Sequence, residues 1–128
     1  MDQYHMPFNK KVRAGTGGRR RSFNDKRLAH VGGVFTATKV VKEDVRTTRR
    51  LRGGNSRMKI KKAVMINAVT PTGTKQAKMS KVLQSHNPEF VRMNIITKGT
   101  VVETDLGKVR ITNRVGQDGI VNGVLVKS

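Results

Sequence analysis

Two segments of the sequence combine several arginines with consecutive glycines. The first reads Gly-Thr-Gly-Gly-Arg-Arg-Arg at positions 15–21, and the second reads Thr-Arg-Arg-Leu-Arg-Gly-Gly-Asn-Ser-Arg at positions 48–57. A guanidinium group can donate two parallel hydrogen bonds to one phosphate, and glycine lacks the side chain that would hold a backbone away from a phosphate chain. Both segments therefore predict binding to a polyanion through its phosphates. The alternatives are a flexible linker for the first segment and a solvated hairpin for the second.

Lysines extend this basic pattern along the chain. Lys59 and Lys61 follow the second segment on a predicted strand, and Lys75, Lys78 and Lys81 lie farther on. Alternate lysines on a strand can also serve only to protect a sheet edge from aggregation. The residues that we predict to contact the polyanion are Lys10, Lys11, Arg13, Gly17, Gly18, Arg19, Arg20, Arg21, Lys26, Arg27, Arg49, Arg50, Arg52, Gly53, Gly54, Asn55, Arg57, Lys59 and Lys61.

Residues that could catalyse a reaction or bind a metal are few and scattered. His5, His30 and His86 lie far apart in the sequence, and there is no cysteine. Glu103 and Asp105 stand close enough to act as an acid–base pair or to hold Mg²⁺ in a nuclease. Their position at a predicted hairpin favours turn formation and solvation instead. We therefore predict a protein that is not an enzyme, with no metal site and no cofactor.

The composition supports a partner of opposite charge. The 128 residues include 27 Lys and Arg against 8 Asp and Glu, which gives a net charge of +19. Only 35% of the residues are hydrophobic and 4% aromatic, so the core must be small. No apolar run approaches the ~18 residues of a membrane span, and the first residues contain no signal-peptide core. With no cysteine present, we expect a cytosolic protein.

Residues 1–33 are predicted to form a basic arm, and residues 34–128 a folded body. The arm has many glycines and cations but few apolar side chains to bury. Ordering a backbone costs about 1–2 kcal/mol per residue, which such a segment cannot recover alone. We therefore expect the arm to be disordered until it binds a polyanion.

The body shows the patterns of short β-strands. Alternating apolar residues predict a long strand from Met58 to Val69, and strands are also predicted at 34–41, 74–83, 95–96, 101–103, 109–112 and 120–126, with 74–83 as an edge strand. Turns are predicted at 70–73, 105–107 and 115–119, and Asn87 and Pro88 predict a short helix over 88–93. About six short strands with almost no helix indicate an all-β fold, a small antiparallel β-barrel with an extended basic N-terminal arm.

The polyanion could be RNA, DNA or a membrane surface. A basic amphipathic helix is missing, which disfavours a membrane, and so are the helix-turn-helix, zinc-finger and basic-zipper patterns of sequence-reading DNA proteins. A Gly/Arg arm beside a small barrel is better suited to folded RNA. An abundant protein that compacts DNA without sequence preference stays open as the alternative.

Several motifs resemble one known family. The blocks Asn94-Ile95-Ile96-Thr97-Lys98-Gly99, Val102-Glu103-Thr104 with Leu106-Gly107, and Gly116-Gln117-Asp118-Gly119-Ile120-Val121-Asn122 are similar to the archaeal and eukaryotic small-subunit ribosomal protein family number eight of the "e" type. Gly17-Gly18-Arg19 and Arg52-Gly53-Gly54-Asn55 resemble its two other motifs, and the short chain resembles the archaeal form.

This resemblance implies a structural component of the 30S subunit. It implies binding to 16S ribosomal RNA, neighbours among the other small-subunit ribosomal proteins, a β-barrel core and an extended amino-terminal arm. It implies neither a membrane nor a small-molecule substrate as a partner.

Overall fold

The chain forms two units, Met1–Phe35 and Thr36–Ser128. A computed structural model describes residues 3–4, 12, 15–19 and 31–126. In the first unit, strand β1 (Gln3–Tyr4) pairs antiparallel with β2 (Val31–Gly32), and an isolated antiparallel bridge joins Val12 to Arg19. Most of the predicted arm 1–33 lies outside the described residues. Its disorder in the free protein therefore stays a prediction.

The second unit begins with a three-stranded sheet. Its strands are β3 (Lys39–Val40), β4 (Val45–Arg50) and β5 (Ser56–Ala63), in the order β3-β5-β4. Strand β5 pairs parallel with β3 and antiparallel with β4, to which the turn Arg52–Gly54 connects it. The strand predicted over 34–41 is shorter than expected, because only its last part pairs with β5.

Five further strands close into a barrel. They are β6 (Met65–Thr70), β7 (Gly73–Gln84), β8 (Val101–Thr104), β9 (Gly107–Ile111) and β10 (Asn122–Leu125), in the order β10-β6-β7-β8-β9. The predicted small β-barrel is confirmed. Four neighbouring pairs are antiparallel, and β10 runs parallel to β6. A closed ring with an odd number of strands requires at least one parallel pair, because strand directions cannot alternate all the way around it.

The long strand predicted from Met58 to Val69 is two strands in different sheets. It breaks at Val64, whose amide donates to the Asp44 carboxylate at 2.8 Å. Before the break, Val45 pairs with Lys62 and Arg46 with Ile60, so Lys61 is an extra residue in a β-bulge. The bulge lets Ile60 and Ala63 both be buried, although strict alternation would place them on opposite faces.

The prediction of an edge strand at 74–83 is wrong. Strand β7 pairs with β6 on one side and β8 on the other, so it is not an edge, and with 12 residues it is the longest strand of the barrel. It looks polar in sequence because the outward side chains alternate with the buried Ala77 and Met79. The barrel interior and its ends are filled mainly by Ile66, Ala68, Val82, Ile96, Val102, Val109, Ile111, Val115 and Val121.

In the described part of the second unit, two short α-helices connect strands of the barrel. The predicted helix near residue 88 is confirmed as α1 (Pro88–Arg92), where the Asn87 side chain accepts a hydrogen bond from the Glu89 amide at 3.0 Å. A second helix, α2 (Val115–Asp118), stands where a turn was predicted. Within the described ranges, no helix is both long and apolar enough to span a bilayer.

Candidate nucleic-acid interface

The second arginine-rich segment forms the hairpin of β4 and β5. Arg49 and Arg50 lie at the end of β4, and Arg57, Lys59 and Lys61 lie on β5. Between them, Arg52, Gly53, Gly54 and Asn55 make the tip of the hairpin, although the Arg52 side chain lies outside the described atoms. The fold therefore brings every predicted contact residue of this segment onto one two-stranded projection. We call residues 45–63 the basic hairpin.

The tip of the basic hairpin depends on a backbone conformation that glycine adopts readily. Gly53 and Gly54 have φ angles of 82° and 80°, and the Leu51 amide donates to the Asn55 carbonyl at 2.6 Å to close the turn. A Cβ atom built on either glycine would meet nothing within 4 Å. The glycines are thus required by the backbone and not by crowding, and the open space beside them leaves room for a partner.

The alternation of the two strands sorts the cations onto two faces. Arg49 is directly opposite Arg57, and Thr47 is directly opposite Lys59, so these four residues share one face. Arg46 and Arg50 belong to the other face, opposite Ile60 and Ser56. Both Arg49 and Arg57 are exposed, whereas Lys59 is half-buried with its Nζ 3.4 Å from the Thr36 hydroxyl.

Three exposed cations of this sheet were not among the predicted contacts. Arg46 lies on β4 with its guanidinium 3.8 Å from the Asp44 carboxylate, and Lys39 and Lys62 are neighbours across the parallel pair of β3 and β5. The sequence signal for Lys62 is its polar side chain at a position where the alternation of Met58 to Val69 predicts an apolar one, and it follows directly after the bulged Lys61. The pairing of Lys39 with Lys62 joins residues far apart in the chain and has no local signal.

Only three of the predicted contact residues in the arm are among the residues that the structure describes. Gly17, Gly18 and Arg19 are exposed beside the bridge from Val12 to Arg19, and the Gly18 amide is 3.5 Å from the Thr16 hydroxyl. The other predicted arm contacts lie outside the described residues. They are Lys10, Lys11, Arg13, Arg20, Arg21, Lys26 and Arg27.

The acidic residues considered for catalysis take part in surface contacts. Glu103 on β8 forms an exposed ion pair with Lys81 on β7 at 3.4 Å, and Asp105 lies in the turn between β8 and β9. In the part of the chain that the structure describes, no three His, Asp or Glu residues are placed to hold a metal ion. The ion pair on the sheet surface therefore explains Glu103, and the turn explains Asp105.

The motif at 116–122 includes part of α2 and the residues after it, which pack against the basic hairpin. The Asp118 carboxylate accepts hydrogen bonds from the Arg114 amide at 2.9 Å and the Asn113 side chain at 3.2 Å, which fixes the turn of α2. After α2, a Cβ atom on Gly119 would lie 3.0 Å from the carbonyl oxygen of Met58 on β5. The end of α2 thus packs directly against the strand that carries Arg57 and Lys59.

Comparisons with known proteins agree with this arrangement. The family model described as Ribosomal protein S8e matches residues 8–126. A small ribosomal subunit protein eS8 of Hyperthermus butylicus is 40% identical over 131 residues, covering 99% of this chain and 94% of the relative. The protein of the same name in Staphylothermus marinus is 39% identical, covering 91% and 93%, and the one in Nanoarchaeum equitans is 43% identical, covering 80% and 82%. The match along nearly the whole length, motifs and barrel together, means that this chain belongs to the ribosomal protein S8e family.

Proposed function

We propose that this protein is a structural component of the small ribosomal subunit that binds 16S ribosomal RNA through its basic hairpin and its arm. The family is structural and not enzymatic, and its relatives are named as small-subunit proteins. The single observation that supports RNA binding best is the basic hairpin itself. It carries several exposed cations, and none of the described ion pairs involves Arg49, Arg50, Arg57 or Lys59.

The mechanism is electrostatic. Cations that bind phosphates release the counterions condensed on the nucleic acid, and this term supplies much of the affinity without reading sequence. The rigid barrel holds the hairpin at a fixed place on one RNA segment. The arm 1–33 orders on a second segment, and the body 34–128 remains folded throughout. Together they neutralise phosphates and fasten RNA helices to one another.

The partners follow from this role. They are 16S ribosomal RNA and other proteins of the small subunit, and the protein acts in the cytoplasmic ribosome. A DNA-compacting protein would have a similar charge, but the relatives give that function no support.

Sedimentation with salt-washed archaeal small subunits tests the proposal. We expect the purified protein to be retained in the 30S peak at one copy per particle in a magnesium-containing gradient. DNase treatment should leave this retention unchanged. Loss of the protein after DNase, or binding that never saturates, would support DNA compaction or non-specific adsorption instead.

A matched pair of variants separates the hairpin from the bulk charge. Arg50→Ala with Arg52→Ala should lower the slope of log affinity for 16S RNA against log salt by roughly 1.5, since each lost phosphate contact contributes about 0.7–0.9. Lys108→Ala with Arg110→Ala removes the same charge from exposed positions on β9 and should change the slope much less. Equal slopes for the two variants would contradict a role for the hairpin tip.

A further inference from the structure

The basic hairpin holds two arginines in a position that is unfavourable for the free protein. Arg49 on β4 and Arg57 on β5 are directly opposite each other in the antiparallel register. Directly opposite residues have Cβ atoms about 4.5–5.5 Å apart, and like charges at such positions destabilise a sheet. Arg50, one residue farther along β4, faces the neutral Ser56 instead.

The acids that form ion pairs among the described residues do so with cations other than these two arginines. Asp44 is occupied by Arg46 and by the Val64 amide, and Glu103 pairs with Lys81. Glu89 pairs with Arg92 on α1. Among the described residues, neither Arg49 nor Arg57 has an ion-pair partner, and both are exposed.

The two arginines lie on the face of the hairpin opposite to the one that carries the buried Ile60. Ile60, on the opposite face of β5, is buried at 3% exposure, and the Met58 backbone packs near Gly119. Residues 57 and 59 alternate with these and point the other way. Lys59 is on the same face as the two arginines and is a third cation there. It is half-buried, and its Nζ contacts the Thr36 hydroxyl.

We propose that Arg49 and Arg57 bind a single RNA phosphate between them. This inference rests on the proposed function and assigns the geometry of one contact within it. A phosphodiester has two non-bridging oxygens, and each can accept hydrogen bonds from one guanidinium group. The phosphate charge replaces the repulsion between the arginines with attraction to both, so each arginine binds better when the other is present. Because the contact is to the backbone, it is independent of the RNA sequence.

A double-mutant cycle on 16S RNA transcript tests the shared phosphate. Arg49→Gln and Arg57→Gln should each weaken affinity about fivefold near 0.1 M salt, and the double variant should lose little more than either single variant. The salt slope of the double variant should fall by about 0.7–0.9, the value for one phosphate. The matched cycle of Arg50→Gln with Arg57→Gln should be additive, because these residues are on opposite faces.

The melting temperature of the free protein gives an independent measurement. Removing either member of the like-charged pair should raise it by on the order of 1–5 °C, whereas Arg50→Gln should leave it unchanged. Fully additive losses in the first cycle, or no rise in melting temperature, would overturn the shared site. If the wild-type protein itself fails to bind 16S RNA, the proposed function fails. If it binds while the cycle is additive, only the two-arginine site fails.

Discussion

At the scale of single residues, Gly53 and Gly54 decide how the basic hairpin turns. Both have φ near 80°, where a β-branched residue is strained although there is space for its side chain. Gly54→Val should therefore lower the free energy of unfolding by about 1–2 kcal/mol, measured by urea denaturation of the free protein.

The control at this position is Gly54→Asn. Asparagine tolerates positive φ better than other residues with a side chain, so this variant should be destabilised much less than the valine variant. Equal destabilisation would show that the added side chain, and not the backbone angle, is responsible. Unchanged stability with weaker RNA binding would instead indicate that RNA approaches the glycine closely.

The residues of the basic hairpin could be found from sequence because they are adjacent in the chain. A run of arginines around Gly-Gly-Asn already predicts a turn with cations on both sides. The sorting of Arg49 and Arg57 onto one face depends on the register of the hairpin, which the type and length of its turn fix. The pairing of Lys39 with Lys62 joins distant segments, which no short pattern contains.

At the scale of elements, the sequence predicted where strands occur but not where each strand begins and ends. The apolar alternation from Met58 to Val69 continues through the bulge at Lys61 and the break at Val64, so two strands looked like one. The polar β7 looked like an edge strand because a barrel strand exposes every second side chain to water. Strand β10 was predicted, but its parallel pairing with β6 was not, because nothing in a local pattern specifies the direction of a distant neighbour.

Strand β10 contains a glycine beside which there is no room for a side chain. A Cβ atom on Gly123 would lie 2.5 Å from Val109 Cγ1 and 2.8 Å from the Arg110 carbonyl oxygen. Since the backbone oxygen cannot move without breaking the sheet, Gly123→Ala should cost about 1–3 kcal/mol or more in urea unfolding. The neighbouring Val124 is 44% exposed, and Val124→Ala should cost about 0.5 kcal/mol or less. Similar costs for the two variants would contradict this close approach.

At the scale of the whole molecule, the body and the arm should respond differently to protease. The arm is rich in lysine and arginine and has little to bury, so trypsin should cut the free protein within residues 10–27 and leave a stable carboxy-terminal fragment. Addition of 16S RNA should slow these cuts. Once extended, an arm of this length can reach on the order of 100 Å, at about 3.3 Å per residue. Resistance of the free arm to trypsin would rule out its predicted disorder.

The position of β10 between β6 and β9 has a consequence for the order in which the barrel closes. Strands β6, β7, β8 and β9 each pair with the next strand along the chain, and only β10 joins the two ends of their sheet. As long as residues 122–125 are not docked, β6 and β9 are both open edges with unpaired amide and carbonyl groups. A partly folded chain in which β10 is detached therefore exposes an open sheet that can pair with other chains.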